Sequence, residues 1–276
     1  MRRNLYTIAS YMYITLIILF TLFPVYVLIS TSFKPFTEAF SYPPTLWPHN
    51  LTFKSYLKVL TKWEFTSYLI NSLVITTSSV LLSVIVGIPM AYCLAKIKVG
   101  KNWNESIAFL ILSLRLLPPI VGILPLYVIY SHLKLVDTYP GLILAYTAFN
   151  LPFVVWILRG FILELPKEIH DSALVDGASV FQIMIRIIVP LTYPAIIATA
   201  VLSYLLTWNE FTVAVFLTAQ YRKTLPILIS SFIGDLQFYW NDMCAAAVLS
   251  MIPAIVAVLL TQRELVRGLT LGAVKG

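Results

Sequence analysis

Residues 11–30 run without a single charged side chain, and five further mostly apolar runs follow at 68–94, 107–130, 139–161, 191–217 and 240–260. A helix rises about 1.5 Å per residue, so about 20 apolar residues cross the ~30 Å hydrocarbon core of a bilayer. Six such runs predict six transmembrane helices. Composition closes off the soluble alternative: 59% of the 276 residues are hydrophobic and 11% charged, where soluble domains carry about 25% charge. Mean hydropathy is +0.88. The expected fold is therefore all-α and integral to the cell membrane, one transmembrane domain over residues 1–276 with an outer loop at about 33–67. Arg2 and Arg3 precede the first run, but its length from about residue 8 to 29 exceeds a secretion signal and no small-x-small cleavage site is evident, so it reads as a retained span.

Lysine and arginine set the orientation. With the N-terminus in the cytoplasm, Arg2, Arg3, Lys96, Lys98, Lys101, Arg159, Lys167, Arg186, Arg263, Arg267 and Lys275 fall inside, eleven of the nineteen basic residues. Lys34, Lys54, Lys58, Lys62, Lys134, Arg222 and Lys223 fall outside, and Arg115 lies within a span. The outside set comes mostly from the long loop 33–67, where charge is a weak determinant; the short basic loop 96–105 and the termini decide. The polar segment 162–190 then faces the cytoplasm. Cysteines at Ser172 and Thr45, in a chain lacking Cys93 and Cys244, are expected to label from opposite sides of the membrane; labelling of both from outside intact cells overturns this topology. The net charge of +7 is spread between the spans, and nucleic-acid binding is not expected.

The chain shows no catalytic or metal constellation. Cys93 and Cys244 sit in or beside apolar runs and read as small core residues, and His49, His132 and His170 stand apart. There is no G-x-x-x-x-G-K-[ST] loop, so a nucleotide would have to be bound by another chain. Prolines at 89, 118, 119, 125, 140, 152, 194 and 253 break spans or end them. Each frees a carbonyl that a neighbouring helix or water must satisfy, which suits a packed bundle around a polar path. Arg115, about 13 Å of helix rise into its span, lines such a path or pairs with a carboxylate. Asn209 and Glu210 beside Trp208 fit either an interfacial anchor or the binding of sugar hydroxyls, with stacking on the ring.

Residues 164–194 form the one polar island, read as helix, glycine break and second helix. Pro166 suits a first helical position, Asp176-Gly177-Ala178 interrupts the run, and Ser179 with Gln182 makes a capping box. Leu174, Ala178, Phe181 and Ile185 are expected to pack on the protein's own helices. The opposite side and the turn are left for a partner.

At these residues the chain resembles the permease subunits of binding-protein-dependent ABC importers. Their signature loop has an acidic residue, two small residues, a glycine four positions later and a final Ile-x-Leu-Pro. Asp171-Ser172-Ala173, Gly177 and Ile187-Ile188-Val189-Pro190 stand at those positions, with Asp, Ser and Val replacing Glu, Ala and Leu. The ending Gln262-Arg263 and VRGLTLGAVKG, Trp208-Asn209-Glu210-Phe211, Leu117-Pro118-Pro119, Pro125-Leu126-Tyr127 and Ser32-Phe33-Lys34-Pro35 are similar to the carbohydrate-uptake branch, the maltose-type second permease. The resemblance implies a sugar-importer permease that forms half the pathway beside a second permease. An ATPase dimer carrying ATP and Mg would sit below, and an extracytoplasmic sugar-binding protein would deliver from above. Glu168, Asp171, Ser172, Ala173, Val175, Asp176 and Gly177, in a coupling loop at about 162–190, would meet the ATPase; Arg115, Asn209 and Glu210 would line the pathway. The alternatives are an ABC permease for an amino acid, peptide or polyol phosphate, or a secondary transporter, though no internal repeat supports the latter.

Overall fold

The computed structural model describes residues 2–97, 103–234 and 238–271; Lys98, Lys101, Gly272 and Lys275 lie outside them. In chain order the helices are α1 (Arg2–Ser32), α2 (Phe36–Ala39), α3 (Lys54–Thr61), α4 (Phe65–Lys96), α5 (Trp103–Leu116), α6 (Pro119–His132) and α7 (Tyr139–Glu164). Then come α8 (Lys167–Val175), α9 (Val180–Ile183), a π-helical turn (Met184–Ile188), α10 (Val189–Leu191), α11 (Tyr193–Trp208), α12 (Thr212–Leu217), α13 (Leu225–Ser231) and α14 (Trp240–Leu271). Among the described residues there is no strand beyond an isolated bridge between Ile233 and Phe238.

Four stretches are long and apolar enough to cross a membrane singly, Ser10–Ser32, Phe65–Lys96, Tyr139–Glu164 and Trp240–Gly268. Two more arise only as bent pairs, Trp103–Leu116 with Pro119–His132 at 87° and Val180–Leu191 with Tyr193–Trp208 at 77°. The sequence reading drew the third and fifth spans as continuous runs; both are broken. Pro118 is extended (φ −55°, ψ 131°) and cannot carry α5 into α6. The fifth run stops at Trp208, and α12 begins afresh after Phe211.

The residues read above as one domain divide into two compact units, Met1–Ser67 with Leu228–Ile252 and Tyr68–Ile227 with Pro253–Gly276. In the first, the segment after α1 is folded rather than a linker. Phe33 packs on Phe53 and Tyr56 at ring separations of 5.3 and 5.1 Å, and Trp63 on Phe232 at 4.8 Å. Asn241 donates to Ser55 Oγ at 2.9 Å. Glu38 accepts the backbone N–H of His49 at 2.8 Å, which holds its carboxyl below the ordinary value. From Tyr11 to Phe23 the apolar side chains of α1 stay uncovered, Phe20 being 80% exposed, as suits a helix bathed in lipid, where only the backbone needs internal partners.

In the second unit α4, α6, α7 and α12 enclose Ile75, Ile123, Leu142, Ala145, Tyr146, Val213 and Leu217. Small polar residues tie these apolar helices, as they do wherever lipid is as apolar as the side chains. Asn150 on α7 donates to Thr207 Oγ1 on α11 at 2.5 Å, and Thr147 Oγ1 on α7 reaches the Ser79 carbonyl on α4 at 3.4 Å. Arg159, 6% exposed, pairs with Glu105 at 2.9 Å and joins α7 to α5. Between α6 and α7, Asp137 takes a left-handed conformation (φ 58°), and its carboxylate accepts the backbone N–H groups of Gln220, Tyr221 and Arg222 at 2.9 Å each. Burial pushes this carboxyl up, but the N–H bonds outweigh it and hold it below the usual carboxylate range. Arg222 lies 4.1 Å over the Tyr139 ring. The loop after α12 is thus fastened by its main chain.

Candidate functional site

The polar island folds as a hairpin. Leu165 and Pro166 are extended, and α8 starts at Lys167, one position later than the sequence reading placed it. Its end is a Schellman motif: Ala178 N–H bonds the Ala173 carbonyl and Gly177 N–H the Leu174 carbonyl, both at 3.0 Å. Gly177 supplies the left-handed turn with φ +80°. Ser179 Oγ then accepts Gln182 N–H and Gln182 returns a bond to Ser179 N–H, the expected capping box. Both facing ends are therefore satisfied by neighbouring residues alone. The π-helical turn and a break at Thr192 redirect the chain into α11.

One side of the hairpin is buried. His170, Ala173, Ile183, Met184 and Ile188 are enclosed by Ala91 and Tyr92 of α4 and by Val154, Leu158 and Ile162 of α7. Full burial of an isoleucine contributes about 2 kcal/mol, so Ile183 at 0% and Ile188 at 1% exposure fix the base firmly. The expected apolar stripe is corrected here: Leu174, Phe181 and Ile185 are exposed, at 45, 68 and 46%, and only Ala178 packs against the core. The stripe assumed one continuous helical period, whereas the Gly177 turn and the π-helical turn each reset it.

Of the residues assigned to partner contact, Glu168, Asp171, Ser172, Val175, Asp176 and Gly177 are exposed, Val175 at 88%. Ala173 is not; at 7% exposure it is a spacer that lets α8 lie close to the bundle. The outward face carries three carboxylates around an apolar apex. His170, read as solitary, is buried against Tyr92, and Cys93, read as a core residue, is exposed on α4. The period of α4 could have placed Tyr92 inward, but nothing in the sequence gives its partner.

The second candidate set lies apart from the hairpin. Arg115 Nη1 donates to the Phe149 carbonyl at 2.9 Å, next to the Ala148 carbonyl that Pro152 leaves without its helical N–H partner. Asn209 caps α11 through the Leu205 carbonyl at 2.8 Å, and Glu210 Oε1 accepts Val213 N–H at 2.8 Å at the start of α12. Trp208 is 5% exposed and stacks on Tyr204 at 5.6 Å, so its ring face is already covered. The three polar residues thus sit beside helix breaks: Arg115 at the end of α5 bonds the main chain of α7, and Asn209 and Glu210 satisfy backbone that the break between α11 and α12 releases. No metal-holding group of His, Cys, Asp or Glu occurs among the described residues.

Residues 83–270 match the family described as binding-protein-dependent transport system inner membrane component. Over its whole length the chain is 31% identical to the inner membrane ABC transporter permease protein YcjP of Escherichia coli K12, of which 99% is covered. It is 36% identical to the trehalose transport system permease protein SugB of Mycobacterium tuberculosis, over 95% of each chain. The diacetylchitobiose uptake system permease protein DasC of Streptomyces coelicolor is 30% identical over 95% of this chain and 96% of that one. A bacterial ABC transporter that imports the acidic polysaccharide alginate shares the fold, with a TM-score of 0.75 at 22% identity over 94% of this chain and 96% of the other.

Proposed function

The chain belongs to the inner membrane components of binding-protein-dependent transport systems, and on that premise we propose that it is a permease subunit of an ATP-driven sugar importer. It forms half of the translocation pathway in the cell membrane, and the ATPase is a separate subunit. The observation that carries the coupling role is the hairpin, whose turn is closed by its own caps, whose base is buried on α4 and α7, and whose apex at Val175 is bare. Such an element transmits a push without deforming. Closure of an ATPase dimer around ATP and Mg would press on Glu168, Asp171, Ser172 and Val175 and turn the spans attached beneath. Relatives named for trehalose and diacetylchitobiose support a small oligosaccharide as cargo, delivered by an extracytoplasmic binding protein to this subunit and a second permease. Co-purification with an ATPase and ATP-dependent uptake tests the assembly, and a sugar panel on the binding protein tests the cargo; an amino acid or peptide as sole ligand overturns the sugar assignment.

Arg115, Asn209 and Glu210 complete the proposal as pathway residues at the helix breaks, where discontinuous helices of transporters place their polar groups. Two substitutions separate capping from transport. Glu210→Gln keeps an acceptor for Val213 N–H, whereas Glu210→Ala removes it at a cost of about 1 kcal/mol. A pathway carboxylate predicts uptake lowered about tenfold in both, the equivalent of ~1.4 kcal/mol, with complex yield retained. Wild-type uptake in Glu210→Gln restricts Glu210 to a cap.

A further inference from the structure

The chain joins the hairpin to α7 and α11, yet two side chains tie it to a third helix. Tyr92 and Lys96 stand at i and i+4 on α4 and so leave the same face. Lys96 Nζ donates to the Leu165 carbonyl at 2.9 Å, where the hairpin begins. Tyr92, 1% exposed, lies with its hydroxyl 3.0 Å from His170 Nε2, and His170, 9% exposed, lies with Nδ1 3.3 Å from Asp171 Oδ1. The proton inventory orders these contacts. A carboxylate oxygen accepts, so with Nδ1–H turned to Asp171 the Nε2 atom is left to accept the Tyr92 O–H. The result is a relay from the interior of α4, through a buried imidazole, to a carboxylate that is 73% exposed on the outward face of the hairpin. Each bond polarises the next, and the Asp171 carboxylate is oriented from behind.

We propose that Tyr92 and His170 are positioning residues that direct the ATPase's push on the hairpin into α4, with Lys96 holding the hairpin's entry point. This rests on the coupling role proposed above. Without the relay the hairpin still packs on α4 and α7 through Ala173, Ile183 and Ile188, but apolar contact is non-directional, and the hydrogen bonds that fix the hairpin's register on α4 are gone. Coupling between packed elements is carried by contacts and hydrogen bonds between them, and the relay supplies a directional one.

The test uses the complete importer, with both permeases, the ATPase pair and the binding protein, in lipid nanodiscs. Native Cys93, exposed beside Tyr92 on α4, is the reporter. Its alkylation by N-ethylmaleimide, read on this chain by mass spectrometry, is compared with and without trapping by ATP and vanadate. A separate Val175→Cys cross-link to the ATPase reports whether the hairpin is seated. Trapping is expected to change the wild-type rate several-fold. Tyr92→Phe and His170→Ala are expected to lose most of that change with the cross-link retained, and His170→Gln, whose amide reaches the place of Nε2, to recover it. An unchanged wild-type rate on trapping, or a Tyr92→Phe response equal to wild type, overturns the proposal. Loss of the cross-link in Tyr92→Phe reduces the relay to a folding contact and overturns it too. A wild-type hairpin that does not cross-link at all sinks the coupling role itself, and the relay with it.

Discussion

Gly177→Val is expected to abolish solute uptake while the protein still reaches the membrane. The left-handed φ of +80° at this position disfavours any side chain, and a β-branched one most. Such strain costs on the order of 1–3 kcal/mol, and no neighbour lies within 4 Å of an added Cβ, so all of it is backbone strain rather than collision. Relief comes from opening the Schellman turn, which frees the Ala173 and Leu174 carbonyls and lets α8 pivot on its base. ATPase association or solute-stimulated hydrolysis should fall with uptake. Gly177→Asn, which tolerates the left-handed region, should retain most activity. Wild-type uptake and complex yield in Gly177→Val would show that the hairpin does not couple.

Among Gly87, Gly122, Gly141, Gly160, Gly177 and Gly268, Gly141→Ala is expected to be the most damaging addition of a methyl. A Cβ there would stand 2.1 Å from the Leu135 carbonyl oxygen, a main-chain atom that has no rotamer to escape into. The same turn holds Thr138, whose hydroxyl caps α7 by accepting Gly141 N–H at 3.2 Å and donates to the Leu135 carbonyl at 2.7 Å. Moving the backbone breaks these together, at a cost of about 3 kcal/mol or more. Folded protein recovered in detergent should drop severely. Gly160→Ala on the same helix is the control: nothing lies within 4 Å of its added Cβ, and alanine is better in a helix interior by about 0.5–1 kcal/mol. Equal yields from the two variants would show that the α6–α7 turn adjusts freely.

The parts of this fold that were readable in the sequence are those governed by local chemistry. The capping box at Ser179 and Gln182, the glycine turn at 177 and the exposed acids of α8 follow from residues a few positions apart, and so does the apolar length of each span. Proline positions announced that spans would break, but not that α5 and α6 would meet at 87°, because the angle is set by what the helices pack on. The reading of Leu174, Phe181 and Ile185 as buried failed because it carried one helical period through a turn that ends it. The pairs Tyr92–His170, Arg115–Phe149 and Asn150–Thr207 join residues 78, 34 and 57 positions apart. No local pattern specifies such partners, and burial of the unpaired groups makes the pairs matter.

Asp137 has a consequence for how this protein can diverge. It grips residues 220–222 by their amide hydrogens, and Asn71 grips the carbonyls of Tyr221 and Lys223 at 2.9 and 3.0 Å. Every residue except proline offers the same amide. The path of this loop is therefore largely indifferent to the side chains it displays, of which Tyr221 is 69% exposed. Substitutions can accumulate on its surface, and new recognition preferences can be tried there, without renegotiating the scaffold, for as long as two polar side chains at its root stay in place.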